Sequence, residues 1–215
     1  MPANLLSGNY QKKCTKGSKF LSSLDQDWNS LVSSVGPCNL NLSIELEPYQ
    51  ALIKSVIFQQ LRPASATAIF NRFKQNFDNN FPTEEKILAS PESKLKESGI
   101  SFNKRKTIIE IARHVQTGKL ENRQDFLMMN DSQIIEKLTK IKGIGEWTAQ
   151  MLMIFNLGKL DVFPAGDFAL RKNYSLFKSI ASPLTMRELS RISEEWKPFR
   201  SIAAWYLWRY RNILN

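Results

Sequence analysis

The chain has 215 residues, of which 42% are hydrophobic, so it can bury a substantial core as one domain or as two packed helical halves. Lys and Arg number 30 against 20 Asp and Glu, which gives a formal net charge of +10. Such a charge attracts polyanions, because each neutralised phosphate releases a counterion. Nucleic acid and anionic membrane surfaces are therefore the candidate partners.

Several classes of protein are excluded. The chain has 2 cysteines and 1 histidine, too few for a disulfide scaffold, an iron–sulfur cluster or a histidine-rich metal centre. No apolar run reaches the roughly 18 residues of a membrane span. The N-terminus also lacks the continuous apolar segment of a secretory signal. We therefore expect a soluble, intracellular protein that does not bind membranes, and nucleic acid becomes the favoured partner.

The first predicted element is an N-terminal tail. Residues 1–19 are rich in Asn, Ser, Lys and Gly without an apolar period, which indicates a mobile basic tail before a folded domain at 20–215. From Leu46 onward, apolar residues recur every three or four positions, and no alternating strand pattern competes. This predicts an all-α fold of about ten helices. The clearest helices lie near 48–60, 63–77, 103–117, 132–140, 146–157, 185–196 and 200–213.

A glycine-containing turn in the segment 132–157 is the most informative motif. Lys142 is followed by Gly143, Ile144 and Gly145, between two apolar helical patterns. Two glycines at this spacing allow a tight turn with outward-pointing amide groups. Those amides, together with the start of the following helix, can hold a phosphate. A plain helix–helix loop has the same local pattern, so the turn alone does not decide the function.

Five segments carry a wider resemblance, and in chain order they are Ile57–Leu61, Leu138–Ala149, Asp161–Asp167, Trp196–Ser201 and Ala204–Trp208. In this combination they resemble the helix-hairpin-helix (HhH-GPD) superfamily of DNA glycosylases, and within it the 3-methyladenine DNA glycosylase II branch. The resemblance spans about 48–210, nearly the whole folded chain. It implies an all-helical fold of two lobes with a cleft between them and the hairpin at one rim.

The resemblance also implies an activity and a partner. Such enzymes extrude a damaged nucleotide from double-stranded DNA and hydrolyse the N-glycosidic bond of an alkylated purine, of the 3-methyladenine or 7-methylguanine type, in base excision repair. We expect a monomer that binds DNA with a damaged base or an abasic site. It would act in the nucleus of a eukaryote, or in the cytoplasm at the nucleoid of a bacterium.

Five residues are assigned by this resemblance to DNA contact. Leu61 would enter the base stack where the nucleotide has left, with Arg62 beside it. Taken without the resemblance, Leu61 is a core leucine at the end of a helix. Lys142, Gly143 and Gly145 would meet the phosphate backbone. Arg62 stands where relatives often carry a small polar residue.

Three residues are assigned to a pocket for the extruded base. Trp147 and Trp208 would face the base, because indole faces attract a base that alkylation has made cationic. Met151 stands four residues after Trp147, where some relatives have an aromatic residue. Both tryptophans are otherwise expected in a hydrophobic core.

Two carboxylates compete for the catalytic role. Departure of the base builds positive charge on the sugar, which a fixed carboxylate stabilises while water adds. The family pattern favours Asp167, which precedes an apolar helix that it could also cap. Asp161 is the rival, and we expect it to be structural. Arg200 could contact a phosphate or pair with a buried acid.

The resemblance implies a monofunctional enzyme without AP-lyase activity, because bifunctional relatives carry a lysine nucleophile where this chain has Trp147. No organic cofactor is implied. A monovalent cation would be held by the backbone carbonyls of Thr139, Ile141 and Gly143.

Two alternatives remain open. The first is a catalytically weak protein that binds damaged or abasic DNA on the same fold, which Arg62 and Met151 favour. The second is an unrelated helix-hairpin-helix scaffold for DNA or RNA, which explains the charge and the turn but not Asp167 and the aromatic residues.

Overall fold

The computed structural model describes the backbone of residues 3–213 and the side chains of residues 8–210. Within the described backbone there are 13 α-helices, one 3₁₀ turn at Ser193–Trp196 and no β-strand, which confirms the all-α prediction. The helices are α1 (Ala3–Ser22), α2 (Gln26–Val35), α3 (Pro48–Phe58), α4 (Pro63–Gln75), α5 (Glu84–Ala89), α6 (Glu92–Glu97), α7 (Phe102–Gln116), α8 (Arg123–Met128), α9 (Asp131–Thr139), α10 (Glu146–Phe155), α11 (Phe168–Phe177), α12 (Met186–Ile192) and α13 (Arg200–Ile213).

The helices form two compact units. Unit 1 comprises the described parts of Met1–Leu42 and Gly158–Asn215, and unit 2 comprises Ser43–Leu157. Unit 2 therefore contains the glycine turn, whereas unit 1 contains both candidate carboxylates. None of the helices in 3–213 is long and apolar enough to cross a membrane.

The N-terminal stretch is helical, so the prediction of a mobile tail over 1–19 is wrong for the residues that the structure describes. The buried face of α1 consists of Cys14, Gly17, Ser18 and Leu21, at the three- and four-residue spacing of a helix. Three of these four residues are small. A Cβ atom on Gly17 would collide with the Ile202 side chain, so α1 packs closely on α13. Small residues at a close helix contact do not produce an apolar period, which explains the wrong prediction.

The predicted helix starts near 48 and 63 are confirmed. Pro48 and Pro63 occupy the first turns of α3 and α4, where the missing N–H costs no hydrogen bond. Asn130 opens α9 with a capping box that it shares with Gln133. The core of unit 2 lies between α3, α7, α9 and α10, and its fully or nearly fully buried members include Leu52, Ile53, Val56, Ile57, Ile108, Ile111, Ile134, Leu138, Leu152 and Met153.

Candidate functional site

The turn between α9 and α10 is anchored by buried side chains while its backbone faces solvent. Ile141 is 1% exposed and Ile144 is 4% exposed. The Ile144 N–H donates to the Ile141 carbonyl at 2.9 Å, which closes the turn. Lys142, Gly143 and Gly145 are all exposed. The turn therefore presents the Lys142 ammonium and several backbone groups to solvent, next to the two buried isoleucine side chains.

The two glycines of the turn serve different purposes. Gly143 has a φ of +93°, and a Cβ atom there would collide with Thr107 of α7, so the fold requires glycine. Gly145 has an ordinary φ of −91°, and a Cβ atom there would meet nothing within 4 Å. It is the N-cap of α10 and supplies no side-chain cap. Glycine at 145 therefore leaves the first amides of α10 uncovered, which suits an anion at the helix N-terminus.

The loop between α3 and α4 presents Leu61 to solvent. Leu61 is 39% exposed, so the expectation of a buried core leucine is wrong. Arg62 is also exposed and is the N-cap of α4. Gln60 has a φ of +53°, in the left-handed region that residues with a Cβ atom seldom adopt. The structure thus places the apolar side chain of Leu61 next to Arg62 in a sharply bent loop.

A cavity of about 310 Å³ opens in unit 2 between α3 and α10. Trp147 and Met151, two of the predicted pocket residues, both line it. Trp147 is 38% exposed and Met151 is 8% exposed. The volume lies at the lower end of the roughly 300–1,000 Å³ that small-molecule pockets occupy. The other lining residues are Ser43, Leu46, Ala51, Lys54, Ser55, Phe58, Leu152, Phe155 and Asn156.

Two polar residues of this cavity wall, Asn156 and Lys54, were not predicted from the sequence. Asn156 is 2% exposed, and its Nδ2 donates to the carbonyls of Ser43 at 2.8 Å and Leu46 at 2.7 Å. Its Oδ1 is buried and has no hydrogen-bond partner in the structure. Burying an acceptor without a partner is unfavourable, and the two hydrogen bonds donated by Nδ2 hold the side chain in this position. Lys54, whose ammonium lies 5.9 Å from the centroid of Phe70, adds positive charge to the wall.

Asp167 is fixed at the N-terminus of α11 in unit 1. Its Oδ1 accepts hydrogen bonds from the amides of Ala169 at 2.7 Å and Leu170 at 3.1 Å. The prediction that it caps a helix is therefore confirmed. The Asp167 amide in turn donates to the Pro164 carbonyl at 2.9 Å. These bonds set the orientation of a half-buried carboxylate.

Asp161 is engaged by Arg200, also within unit 1. The guanidinium donates to both carboxylate oxygens, Nε to Oδ1 at 2.8 Å and Nη2 to Oδ2 at 3.1 Å. Arg200 Nη2 also donates to the Asp161 carbonyl at 2.9 Å, and Nη1 donates to Glu194 at 2.9 Å. Of the two roles considered for Arg200, the structure shows the pairing with an acid.

Trp208 lies on α13 in unit 1 and is half-buried, whereas its helix neighbours Trp205, Tyr206 and Leu207 are buried. Arg209 and Tyr210 are half-buried as well, so α13 becomes less enclosed towards its C-terminus. The role of Trp208 against an extruded base stays a prediction.

Comparison with known proteins defines the family. A model described as the HhH-GPD superfamily base excision DNA repair protein matches residues 53–198. DNA-3-methyladenine glycosylase 1 of Schizosaccharomyces pombe is 40% identical over 203 residues, which cover 94% of this chain and 89% of that protein. The alkylbase DNA glycosidase-like protein mag2 of the same organism is 36% identical over 196 residues, 90% of this chain and 92% of that protein.

A solved structure is also similar. The 3-methyladenine DNA glycosylase of S. pombe (Mag1), in complex with abasic DNA, superimposes with a TM-score of 0.86 and 39% identity, covering 91% of this chain and 96% of that chain. The chain therefore belongs to the HhH-GPD superfamily of base excision DNA repair proteins.

Proposed function

We propose that this protein is a DNA glycosylase that releases alkylated purines, of the 3-methyladenine or 7-methylguanine type, from double-stranded DNA in base excision repair. The observation that carries the proposal is the cavity of about 310 Å³ walled by Trp147 and Met151. The names of the relatives support the same reaction, and the abasic DNA bound to the S. pombe glycosylase supports the same partner. The protein would work where the genome is, in a nucleus or a nucleoid.

The indole in the cavity wall favours a base that carries positive charge, and this attraction acts against the repulsion from the Lys54 ammonium in the same wall. The indole of Trp147 offers a cation–π attraction worth about 0.5–2 kcal/mol, with the larger values for a desolvated cation. Met151 is more flexible than an aromatic residue and accommodates bases of different outline. The expected preference is therefore for charge more than for one base shape.

Asp167 would stabilise the sugar as the bond breaks. The C1′–N bond cleaves with its electron pair leaving on the base, and the sugar passes through an oxocarbenium-like transition state. A fixed carboxylate beside this cation lowers the barrier electrostatically. A water oxygen then bonds to C1′ and its proton passes to solvent. The alkylated base is already a good leaving group, so no strong general acid is needed.

The proposed reaction ends at the abasic site. A lyase of this superfamily needs an amine nucleophile to form a Schiff base with the sugar. The corresponding position here is Trp147, whose indole cannot do this. We therefore propose a monofunctional glycosylase without AP-lyase activity.

A monovalent cation at the hairpin is part of the proposal. The ligands would be the carbonyl oxygens of Thr139, Ile141 and Gly143, and the cation would draw a DNA phosphate towards the turn. The Ile141 carbonyl already accepts one hydrogen bond, from Ile144, but a carbonyl oxygen has a second lone pair. Replacing K⁺ and Na⁺ by choline at constant ionic strength should weaken DNA binding, and unchanged affinity would remove the cation from the proposal.

A second candidate is a protein that binds abasic or damaged DNA with little excision. The exposed Arg62 beside Leu61 favours it, since a guanidinium there can hold a phosphate or the edge of an abasic gap. Incubation with methylated DNA followed by chromatography of released bases separates the two. Free 3-methyladenine or 7-methylguanine supports the glycosylase. Tight abasic-site binding without release supports the binder.

A further inference from the structure

Lys104 of α7 binds the loop that carries Leu61. Its Nζ donates to the carbonyls of Ile57 at 2.9 Å and Gln59 at 2.7 Å. These carbonyls lie at the C-terminus of α3, where the helix dipole places partial negative charge. The ammonium therefore caps α3 and holds the first residue of the loop at the same time.

The Lys104 side chain is partly removed from solvent where it makes this contact. Lys104 is half-buried, and desolvation by the protein lowers the pKa of its side chain. Lys104 and Leu61 line the same small hollow, of about 70 Å³. The hydrogen bonds to the two carbonyls offset part of this loss of hydration.

The loop itself needs to be held. It has few residues between the end of α3 at Phe58 and the start of α4 at Pro63. Gln60 adopts a positive φ, an unfavourable conformation for a residue with a Cβ atom. A second tether comes from Gln59, whose Nε2 donates to Thr148 Oγ1 of α10 at 2.9 Å.

The same helix that carries Lys104 also supports the glycine turn. Thr107, three residues further along α7, lies so close to Gly143 that no Cβ atom fits there. Residues three apart share one face of a helix. One face of α7 thus contacts both the loop with Leu61 and the turn with Gly143, and fixes their spacing within unit 2.

We propose that Lys104 is a positioning residue that holds Leu61 ready to enter the base stack. The inference rests on the proposed function, in which Leu61 fills the space of the extruded nucleotide. Lys104 orders the loop before DNA binds. The free energy of DNA binding is therefore not reduced by the cost of ordering the loop. Loss of the Lys104 ammonium should reduce the discrimination between damaged and intact DNA. The contacts of the glycine turn with the DNA phosphates should remain.

The test compares Lys104→Met with Lys106→Met, a matched loss of a lysine that is exposed on the same helix. Each protein is titrated with an intact duplex and with the same duplex containing a tetrahydrofuran abasic analogue. Lys104→Met should lower the preference for the abasic duplex about tenfold, the scale of one or two lost hydrogen bonds to a charged group. Its affinity for the intact duplex should change less than about twofold, and Lys106→Met should keep the preference.

A double-mutant cycle with Leu61→Ala distinguishes positioning from general destabilisation. If Lys104 acts through Leu61, the double variant should discriminate no worse than Leu61→Ala alone. Additive losses would overturn the inference, as would a normal preference in Lys104→Met while Leu61→Ala is impaired. If Leu61→Ala binds the abasic duplex normally, the role proposed for Leu61 fails and the inference fails with it. Thermal unfolding checks each variant. If Lys104→Met does not fold, Lys104→Gln, whose shorter side chain lacks the ammonium, replaces it and should lower the preference in the same direction.

Discussion

Asp161 and Arg200 form a two-pronged ion pair, with Nε to Oδ1 at 2.8 Å and Nη2 to Oδ2 at 3.1 Å. The pair joins the segment that leads to Asp167 to the first residue of α13. Planar pairing of this kind is the most directional ion pair that proteins form. It gives Asp161 a structural role and favours Asp167 as the carboxylate that serves the reaction.

Asp161→Asn should therefore act on stability. The amide keeps the volume but loses the charge, so Arg200 is left with Glu194 as its carboxylate partner. We expect a loss of about 1–2 kcal/mol in the free energy of unfolding, moderated by solvent because the Asp161 side chain is 33% exposed. Urea unfolding measures the loss. A stable variant that has lost base release would show that Asp161 takes part in the reaction.

Gly145→Asp should weaken binding to all DNA alike. The new carboxylate would lie at the N-terminus of α10, where it suits the helix but repels a phosphate. Stability should be unchanged or slightly higher, while the slope of log affinity against log salt should fall by about one phosphate contact. Gly145→Ala is the control, since a methyl group meets nothing within 4 Å. If the two variants bind DNA equally at moderate salt, the turn does not contact DNA.

Product DNA should remain uncut until it is heated in alkali. By the family resemblance Trp147 corresponds to the lyase lysine, so we expect no Schiff base with the sugar. Gel electrophoresis of a nicking assay, before and after alkali, makes the measurement. Efficient trapping of a covalent enzyme–DNA adduct by borohydride would contradict the monofunctional assignment.

Much of the fold is visible in the sequence because local signals define it. Pro48 and Pro63 stand at the predicted starts of two helices, and both occupy the first turns of helices in the structure. The cap role of Asp167 follows from a carboxylate before an apolar helix. Each of these signals lies within a few residues of the feature that it predicts.

The remaining features depend on contacts between distant parts of the chain. Lys104 binds carbonyls 47 and 45 residues earlier, and Asn156 binds one 113 residues earlier. Backbone carbonyls have no side-chain signature, so neither contact leaves a local pattern. The small-residue face of α1, with Gly17 against Ile202, is hidden for a related reason, because its packing depends on a helix near the other end of the chain.

Single-turnover release of an alkylated purine by Asp167→Asn tests whether Asp167 is the catalytic carboxylate. The amide has nearly the same size and can still accept the hydrogen bonds of Ala169 and Leu170, so folding and abasic-site affinity should be retained. The negative charge opposite the developing sugar cation is lost, and the rate should fall on the order of 10²–10³-fold. The opposite result is release at the parental rate by Asp167→Asn together with no release by a folded Asp161→Asn. It would show that Asp161, and not Asp167, is the catalytic carboxylate.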